Sequence, residues 1–379
     1  MSILGAVAQD ACEVTLNMAT EEFNTGHFYG VADLLSPCLE KGQNREWRQR
    51  AYLLLTQTYL LLDDPIGAKN SYLKVLEANP EYVPKAERDP IDLVYFSSKF
   101  TTSPQFSLFA YTGPNVSQVN VLYDVDAVTA NPTPDPLKGT SSINKKYALR
   151  PGYQFGAGLE WHYDENLSAT VEVNYMRSAY KKTTTNIFGR DEIDLIDRQN
   201  WFRLPIAIKF SDHIGKYRPY GYIGFSLDYL LSDKAILTTI NNDSLESKDS
   251  YNSQTSESPL QDFTSRRNRF NQSLFIGGGV KYKIGLNYAF IDVRYSFGMR
   301  NVVNPQSAIY NYNGSDLTSE TLLNNGEATF SQGHVDDLFR MNNVVLSFGF
   351  IRPLYRPREL KKAKTKSILR RIKKQDDKG

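Results

Sequence analysis

A set of charged side chains is placed where its members could act on one another: Glu160, Glu172, Asp228 and Asp292 against Arg203, Lys209, Lys281 and Arg294. Each lies on the polar face of a segment that alternates polar and apolar residues. If those faces line a closed barrel, acids and bases in equal number meet in a space with little water. A charge taken out of water is costly unless paired, so matched signs are what a sealed polar interior requires. A barrel of about eight strands is only wide enough for its own side chains to fill, which argues for a plugged interior. The competing chemistry is a lined path for an ion or a small solute. Other reactive residues are sparse. The 4 histidines, His27, His162, His213 and His334, fall on different elements, and none has zinc-site spacing. No glycine-rich phosphate loop or nucleophile elbow occurs. His334 with Asp336 and Asp337 is the one local cluster of the kind that barrel-borne hydrolases carry at their rim, but short polar clusters are common in loops. The chain reads as non-enzymatic, with no metal and no cofactor.

The elements that must position those charges are strands. From 153 to 163 every second residue is apolar or aromatic (Tyr153, Phe155, Ala157, Leu159, Trp161, Tyr163), while Gln154, Gly156, Gly158, Glu160 and His162 fill the other face. Period two marks a strand, and Trp and Tyr closing the apolar face are expected at a membrane interface. The pattern recurs in eight segments of barrel-strand length: 106–117, 150–163, 167–180, 200–211, 217–231, 272–284, 286–300 and 341–351. The connections 164–166, 212–216 and Gly285 are tight. Those at 120–144, 181–198, 232–269 and 301–340 are long and rich in Asn, Ser, Thr and Asp. This is the asymmetry of an outer-membrane barrel with periplasmic turns and extracellular loops, and an even strand count puts both chain ends in the periplasm. A soluble barrel would carry the opposite sense, greasy inside. The charges on the polar faces favour apolar-out.

Ahead of the strands, residues 12–82 carry a helix-turn-helix pattern twice. Leu55, Tyr59, Ala68, Tyr72, Val75 and Pro80 form the stronger copy; Ala19, Gly26, Phe28, Val31 and Leu35 form the weaker. This region resembles two tetratricopeptide repeats, with an ordinary helical bundle as the alternative. A helix from Asp89 to Phe96, with Pro90 in its first turn, would cap the open end. Such repeats hold peptides or proteins along the concave face of their first helices, which here implies Leu16, Thr20 and Phe23 with Arg50, Leu53, Gln57 and Leu60. Cys12 and Cys38 lie at neighbouring ends of a helical hairpin, as a disulfide in an oxidising compartment or as two buried thiols. Ala6-Val7-Ala8 after an apolar start reads as the end of a secretory signal, with a short leader as the alternative.

Composition sets outer limits. With 44 basic and 42 acidic residues there is no global field to draw nucleic acid. The longest greasy helical stretch, 52–62, is too short to span a bilayer. Charge is concentrated only at 356–374, a basic tail that could hold an acidic partner, anionic lipid headgroups or the cell-wall polymer, or could simply be solvated.

Three short motifs carry a family resemblance. Gly113-Pro114-Asn115 in the first strand, Gly156-Ala157-Gly158-Leu159-Glu160, and Trp201-Phe202-Arg203-Leu204-Pro205 in the fourth are similar to the PorT-like outer-membrane barrels of Bacteroidota. The resemblance implies an eight-stranded barrel, and some family members serve type IX protein secretion and gliding. The expected architecture is an all-β eight-stranded antiparallel transmembrane barrel with an N-terminal all-α TPR-like domain. Its divisions are a signal remnant at 1–8, periplasmic helices at 9–103, the barrel at 104–355 and the periplasmic tail at 356–379. The expected role is a closed anchor in the bacterial outer membrane, in contact with its lipid, whose helices dock envelope or secretion-complex proteins, without nucleic acid. A small-solute channel is the alternative.

Overall fold

In a computed structural model, residues 3–40, 44–124, 144–185, 191–242, 253–304, 334 and 336–360 are described. Most of the basic tail and the middle parts of several long connections lie outside them. The chain divides into two compact units, Phe106–Pro353 and the residues before and after it.

The first unit begins with α1 (Ile3–Asn24), a 3-10 turn at Phe28–Gly30 and α2 (Val31–Glu40), followed by α3 (Arg45–Leu61), α4 (Pro65–Ala78) and α5 (Ile91–Ser97). The helix starts follow from local chemistry. Asn44 accepts from the Trp47 amide at 2.8 Å, and Asp64 accepts from the Ile66 and Gly67 amides at 3.0 Å with Pro65 leading the helix. Ala19, Val31, Leu35, Leu55, Ala68, Tyr72 and Val75, read as packing positions, are all buried. The sulfurs of Cys12 and Cys38 are bonded, tying α1 to α2 across a Cα separation of 5.7 Å. The Trp47 indole donates to the Cys12 carbonyl at 3.0 Å beside it. The strand β1 (Phe100–Thr101) closes this part of the unit.

The second unit is a ring of strands. In chain order they are β2 (Phe106–Tyr123), β3 (Asn144–His162), β4 (Leu167–Thr185), β5 (Asp191–Ser211) and β6 (Tyr217–Asn242), then the short β7 (Ser253–Glu257) and β8 (Gln261–Asp262), and finally β9 (Phe270–Ile284), β10 (Asn287–Gly298) and β11 (Leu338–Leu354). Hydrogen bonding runs β2-β3-β4-β5-β6-β9-β10-β11 and back to β2, so eight strands close on themselves. After the ring, β12 (Arg358–Glu359) pairs antiparallel with β1. Arg358 and Glu359, assigned from sequence to a separate tail, thus belong to the first unit.

All eight predicted segments are strands, but several run further than the apolar pattern did. Residues 181–185 and 192–198, expected in a loop, are paired, with Lys182 opposite Leu195. Residues 232–241, also expected in a loop, pair with 191–200. The reason is solvent. A tilted strand crosses a bilayer in about 9–11 residues, whereas β6 has 26. Beyond the lipid edge the outer face meets water, so the backbone ladder continues while the alternation that reveals it disappears.

Outward-facing residues within the band are greasy and exposed, as in Ile208 at 61 %, Ile223 at 63 % and Phe210 at 61 %. Trp161, Tyr163, Tyr217 and Tyr282 lie near the tight-turn end, and Tyr153, Tyr229, Phe270 and Phe297 near the other. These are the two aromatic girdles of a membrane barrel. The inward face is organised by a second device. Six glycines face aromatic residues directly across the strand: Gly156 opposite Tyr111, Gly158 opposite Phe109, Gly224 opposite Phe275, Gly277 opposite Tyr222, Gly279 opposite Tyr220 and Gly349 opposite Phe290. At each of these glycines a Cβ would run into the opposing ring. The rings lie flat over the bare backbone, which lets a narrow lumen hold them.

Gly277→Val should therefore push Tyr222 out of place and cost about 1–3 kcal/mol. Gly221→Ala, where a Cβ meets nothing nearer than 3.8 Å, should cost little. Urea unfolding of both variants in lipid vesicles checks this; equal stabilities would contradict it.

Candidate functional site in the barrel lumen

The predicted charges all lie inside the ring, arranged in tiers. Nearest the tight turns, Glu160 accepts from Lys281 at 2.8 and 3.1 Å, from Lys209 at 3.4 Å and from the Ser168 hydroxyl at 2.8 Å. Lys209 also stands over the Tyr220 ring, 4.7 Å from its centroid, a cation–π contact. In the next tier Arg294 grips Glu172 with both terminal nitrogens, at 2.9 and 3.0 Å, and the Tyr111 hydroxyl donates to the same carboxylate at 2.7 Å. Such bidentate pairing is the strong form of the contact. The Arg294 Nε donates to the Tyr222 hydroxyl at 3.1 Å, which in turn donates to Asp292 at 2.6 Å. Above these, Arg203 donates to Asp228 at 2.7 Å and to the Ser273 hydroxyl at 2.7 Å, while Ser273 and Ser226 donate to Asp228.

Asp292 departs from the expected matching of signs. Its hydrogen-bond donors are the hydroxyls of Tyr222 and Tyr220, the latter at 3.2 Å. The reason is position: Arg294, two residues along on the same face, is held by Glu172. Two small cavities lie beside these charges among the described residues. One cavity of about 20 Å³ lies among Tyr111, Glu172, Tyr222 and Arg294, and another of about 20 Å³ among Met176, Arg203, Asp228 and Asn343. Each has room for roughly one water molecule.

The lumen is not polar throughout, as the sequence implied. Met176, Tyr180, Trp201, Leu230, Phe339, Met341 and Val345 form an apolar layer toward the long-loop end. Beyond it lies an ionic cluster that sequence reasoning missed. Arg267, fully buried, contacts Asp197 at 3.0 Å, Asp233 at 2.5 Å and Asp336 at 3.1 Å. The Tyr180 hydroxyl donates to Asp197 at 2.7 Å. A signal existed in the alternation of Leu195, Asp197 and Gln199 opposite Asp233, Ala235 and Leu237, but it lies in stretches whose overall polarity reads as loop.

His334, the centre of the rim cluster, is 4 % exposed and stacked on Phe263, with Nε2 3.5 Å from Asp336. Burial pushes its imidazole below the ordinary value, toward the neutral form. Burial works the other way on Asp336, but Arg267 outweighs it and holds that carboxyl well below its usual range. Asp337 is held low in the same way, against its own burial, by Lys182 at 2.7 Å and Lys145 at 2.8 Å. Both carboxylates are thus engaged by buried cations, an arrangement suited to holding segments together.

The predicted concave face of the helices fares unevenly. Leu16 is 4 % exposed and packs in the core, so it is not open to a ligand, and this corrects the expectation for that residue. Phe23 packs against the same core, and Leu53 and Leu60 against the second. Gln57 is half-buried. Thr20 is exposed but donates to the Leu16 carbonyl at 2.7 Å, and Arg50 pairs with Glu13 at 2.8 Å. Among the described side chains of α1, the large apolar ones that are exposed are instead Val14 at 58 % and Met18 at 54 %, one turn apart.

A closed antiparallel ring with a greasy exterior, two aromatic girdles and an interior of paired charges defines a transmembrane β-barrel. Residues 95–304 match the family model described as outer membrane protein beta-barrel domain, and the chain belongs to that family and to the outer membrane. Solved structures with similarity include Neisserial surface protein A, with 11 % identity, 66 % of this chain and 97 % of that one covered, and a TM-score of 0.27. OprG from Pseudomonas aeruginosa gives 9 % identity, 68 % and 99 % coverage and a TM-score of 0.31. The outer membrane protease OmpT from Escherichia coli gives 8 %, 67 % and 98 %, with 0.29. No curated protein sequence matches the chain.

Replacing Arg294 with Leu leaves Glu172 buried without its partner, and should cost about 3–5 kcal/mol. Adding Glu172→Leu should return a large share of that loss. Unfolding in vesicles across this double-mutant cycle measures both; an Arg294→Leu barrel as stable as the parent would contradict the pairing.

Proposed function

We propose that the chain is a non-enzymatic outer-membrane anchor whose sealed barrel holds a periplasmic, TPR-like helical unit that docks partner proteins of the cell envelope. The observation that carries this reading is the lumen. Its charges are engaged by one another and by hydroxyls, and the two cavities beside them among the described residues are about 20 Å³ each, too small for a solute. A barrel filled in this way is useful for what it holds. The Cys12–Cys38 bond suits an oxidising compartment, which supports placing the helices, and with them both chain ends, in the periplasm. The even strand count supports the same orientation, with the long connections outside.

The division takes over the sequence reading of a signal remnant at 1–8, the helical unit at 9–103, the barrel at 104–355 and a basic tail at 356–379, amended where Arg358 and Glu359 pair with β1 and so join the helical unit. The docking surface is the exposed part of α1, where Val14 and Met18 supply apolar contact and Arg50 with Glu13 a polar margin. The PorT-like motifs at Gly113, Asn115 and Arg203 support an accessory role in a type IX secretion or gliding assembly of Bacteroidota. Asn115 is buried and donates to the Arg177 carbonyl at 3.1 Å, so that motif position serves the wall of the barrel.

Crosslinking and mild detergent extraction at native expression test the docking role. The parent chain should bring down an envelope protein, and Val14→Asp with Met18→Asp should reduce its recovery severalfold while the amount of folded barrel is unchanged. Recovery of the barrel alone from the parent would contradict the role.

A further inference from the structure

At the long-loop end of the barrel, on its outer surface, two arginines share a cleft. It has a volume of about 510 Å³ and is lined by Asn268, Arg269, Phe270, Arg300 and Asn301. Its base is pinned. The Asn268 side-chain nitrogen Nδ2 donates to the carbonyls of Asn301 and Val303 at 3.0 and 3.1 Å. The Asn301 side-chain oxygen accepts from the Val303 and Phe339 amides, both at 3.1 Å. Arg269 and Arg300 are both exposed. Arg269 donates to the Tyr229 hydroxyl at 3.4 Å and lies near enough to Asp262 to help hold that carboxyl low, while among the described residues neither Arg269 nor Arg300 forms a salt bridge.

The cleft is amphipathic along the barrel axis. Phe270, 71 % exposed, packs edge-on against Tyr229 with centroids 4.9 Å apart. Both belong to the aromatic girdle at this end. From there, past the half-buried Gln272, the outward residues Leu274 and Ile276 of β9 and Phe297 of β10 continue toward the middle of the bilayer. Cationic donors thus sit at headgroup depth, directly above an aromatic and aliphatic wall at acyl depth. Guanidinium forks match phosphate oxygens in geometry and charge. A soluble anion would use the arginines but not the wall; a lipid bearing a phosphate uses both.

We propose that this cleft holds the phosphate of an outer-leaflet lipid, with Arg269 and Arg300 as its ligands and Phe270 against its acyl chains. The proposal rests on the orientation argued above, with the long connections outside. The test uses the full chain in phosphatidylcholine vesicles with or without bisphosphorylated lipid A, and reads the temperature of half-unfolding and the lipid retained through purification. The parent should unfold at a higher temperature with the phosphorylated lipid, and should retain it about tenfold more than Arg269→Ala with Arg300→Ala, as expected for the loss of charge-assisted contacts. Asn268 and Asn301 are left intact so that the double variant still folds, which its shift in heat-modifiable mobility reports. An equal response to dephosphorylated lipid A, an unchanged response in the double variant, or the same stabilisation by inorganic phosphate alone would each overturn the proposal. Orientation is read separately, by labelling Ser265→Cys on intact cells with a membrane-impermeant maleimide. Labelling supports the outer leaflet as the source; its absence overturns that source and the orientation, whatever the vesicles show of the cleft.

Discussion

A carboxylate sealed inside a ring of eight strands cannot reach bulk water, and the rest of the barrel is arranged around that constraint. Glu172 is met by Arg294 in two parallel contacts and by Tyr111, and Glu160 by two lysines and a serine. Breaking either set strands a charge at low dielectric, which is where electrostatic penalties are largest. The glycines are part of the same solution. Tyr111, Tyr220 and Tyr222 reach Glu172 and Asp292 only because Gly156, Gly279 and Gly277 leave bare backbone beneath their rings. Charge, hydroxyl and missing side chain form one unit spread over six strands, from β2 to β10, and none of the three could be altered alone without exposing the others to a void or an unmet partner.

Much of this was legible in period-two patterning. The eight strands, the tight turns and the sense of the apolar faces follow from alternation, because lipid on one side and a packed lumen on the other impose opposite chemistry on successive residues. What alternation could not show lies where one of those two constraints lapses. The outer halves of β4, β5 and β6 leave the bilayer, so Lys181 and Asp194, paired at 2.8 Å on their outside, are as acceptable as leucine, and the strands read as loops. The Arg267 cluster was hidden for the same reason. Within the lumen, residue types were visible but partners were not. Asp292 was expected among cations and takes two tyrosines, a choice set by which side chains the register brings opposite. The apolar layer at Trp201, Leu230 and Met341 marks where the interior passes from ionic to greasy, which no single strand reveals.

The helical unit divides along similar lines. Small and large packing positions such as Ala19, Ala68 and Tyr72 were readable because a helix pair can close only over particular volumes. Surface positions were less so, since neighbouring residues on a helix are separated by only part of a turn. Leu16 falls into the core while Met18, two residues on, is open to solvent. Two such helical pairs with a terminal helix make a small unit, and the bond between Cys12 and Cys38 adds a covalent constraint to the hairpin that has the least core to rely on.

The barrel's contents and its surroundings argue for an object that stays shut. Ion pairs and aromatic rings occupy the turn end and middle, a greasy layer follows, and the Arg267 cluster draws β5, β6 and the segment before β11 together above it. The most direct test is electrical: purified full-length protein reconstituted into planar bilayers at defined salt. The account predicts no stable unitary conductance. Steady ohmic steps from the parent protein, removed by substituting Arg203 or Arg294, would show an open path through the charges and would contradict it.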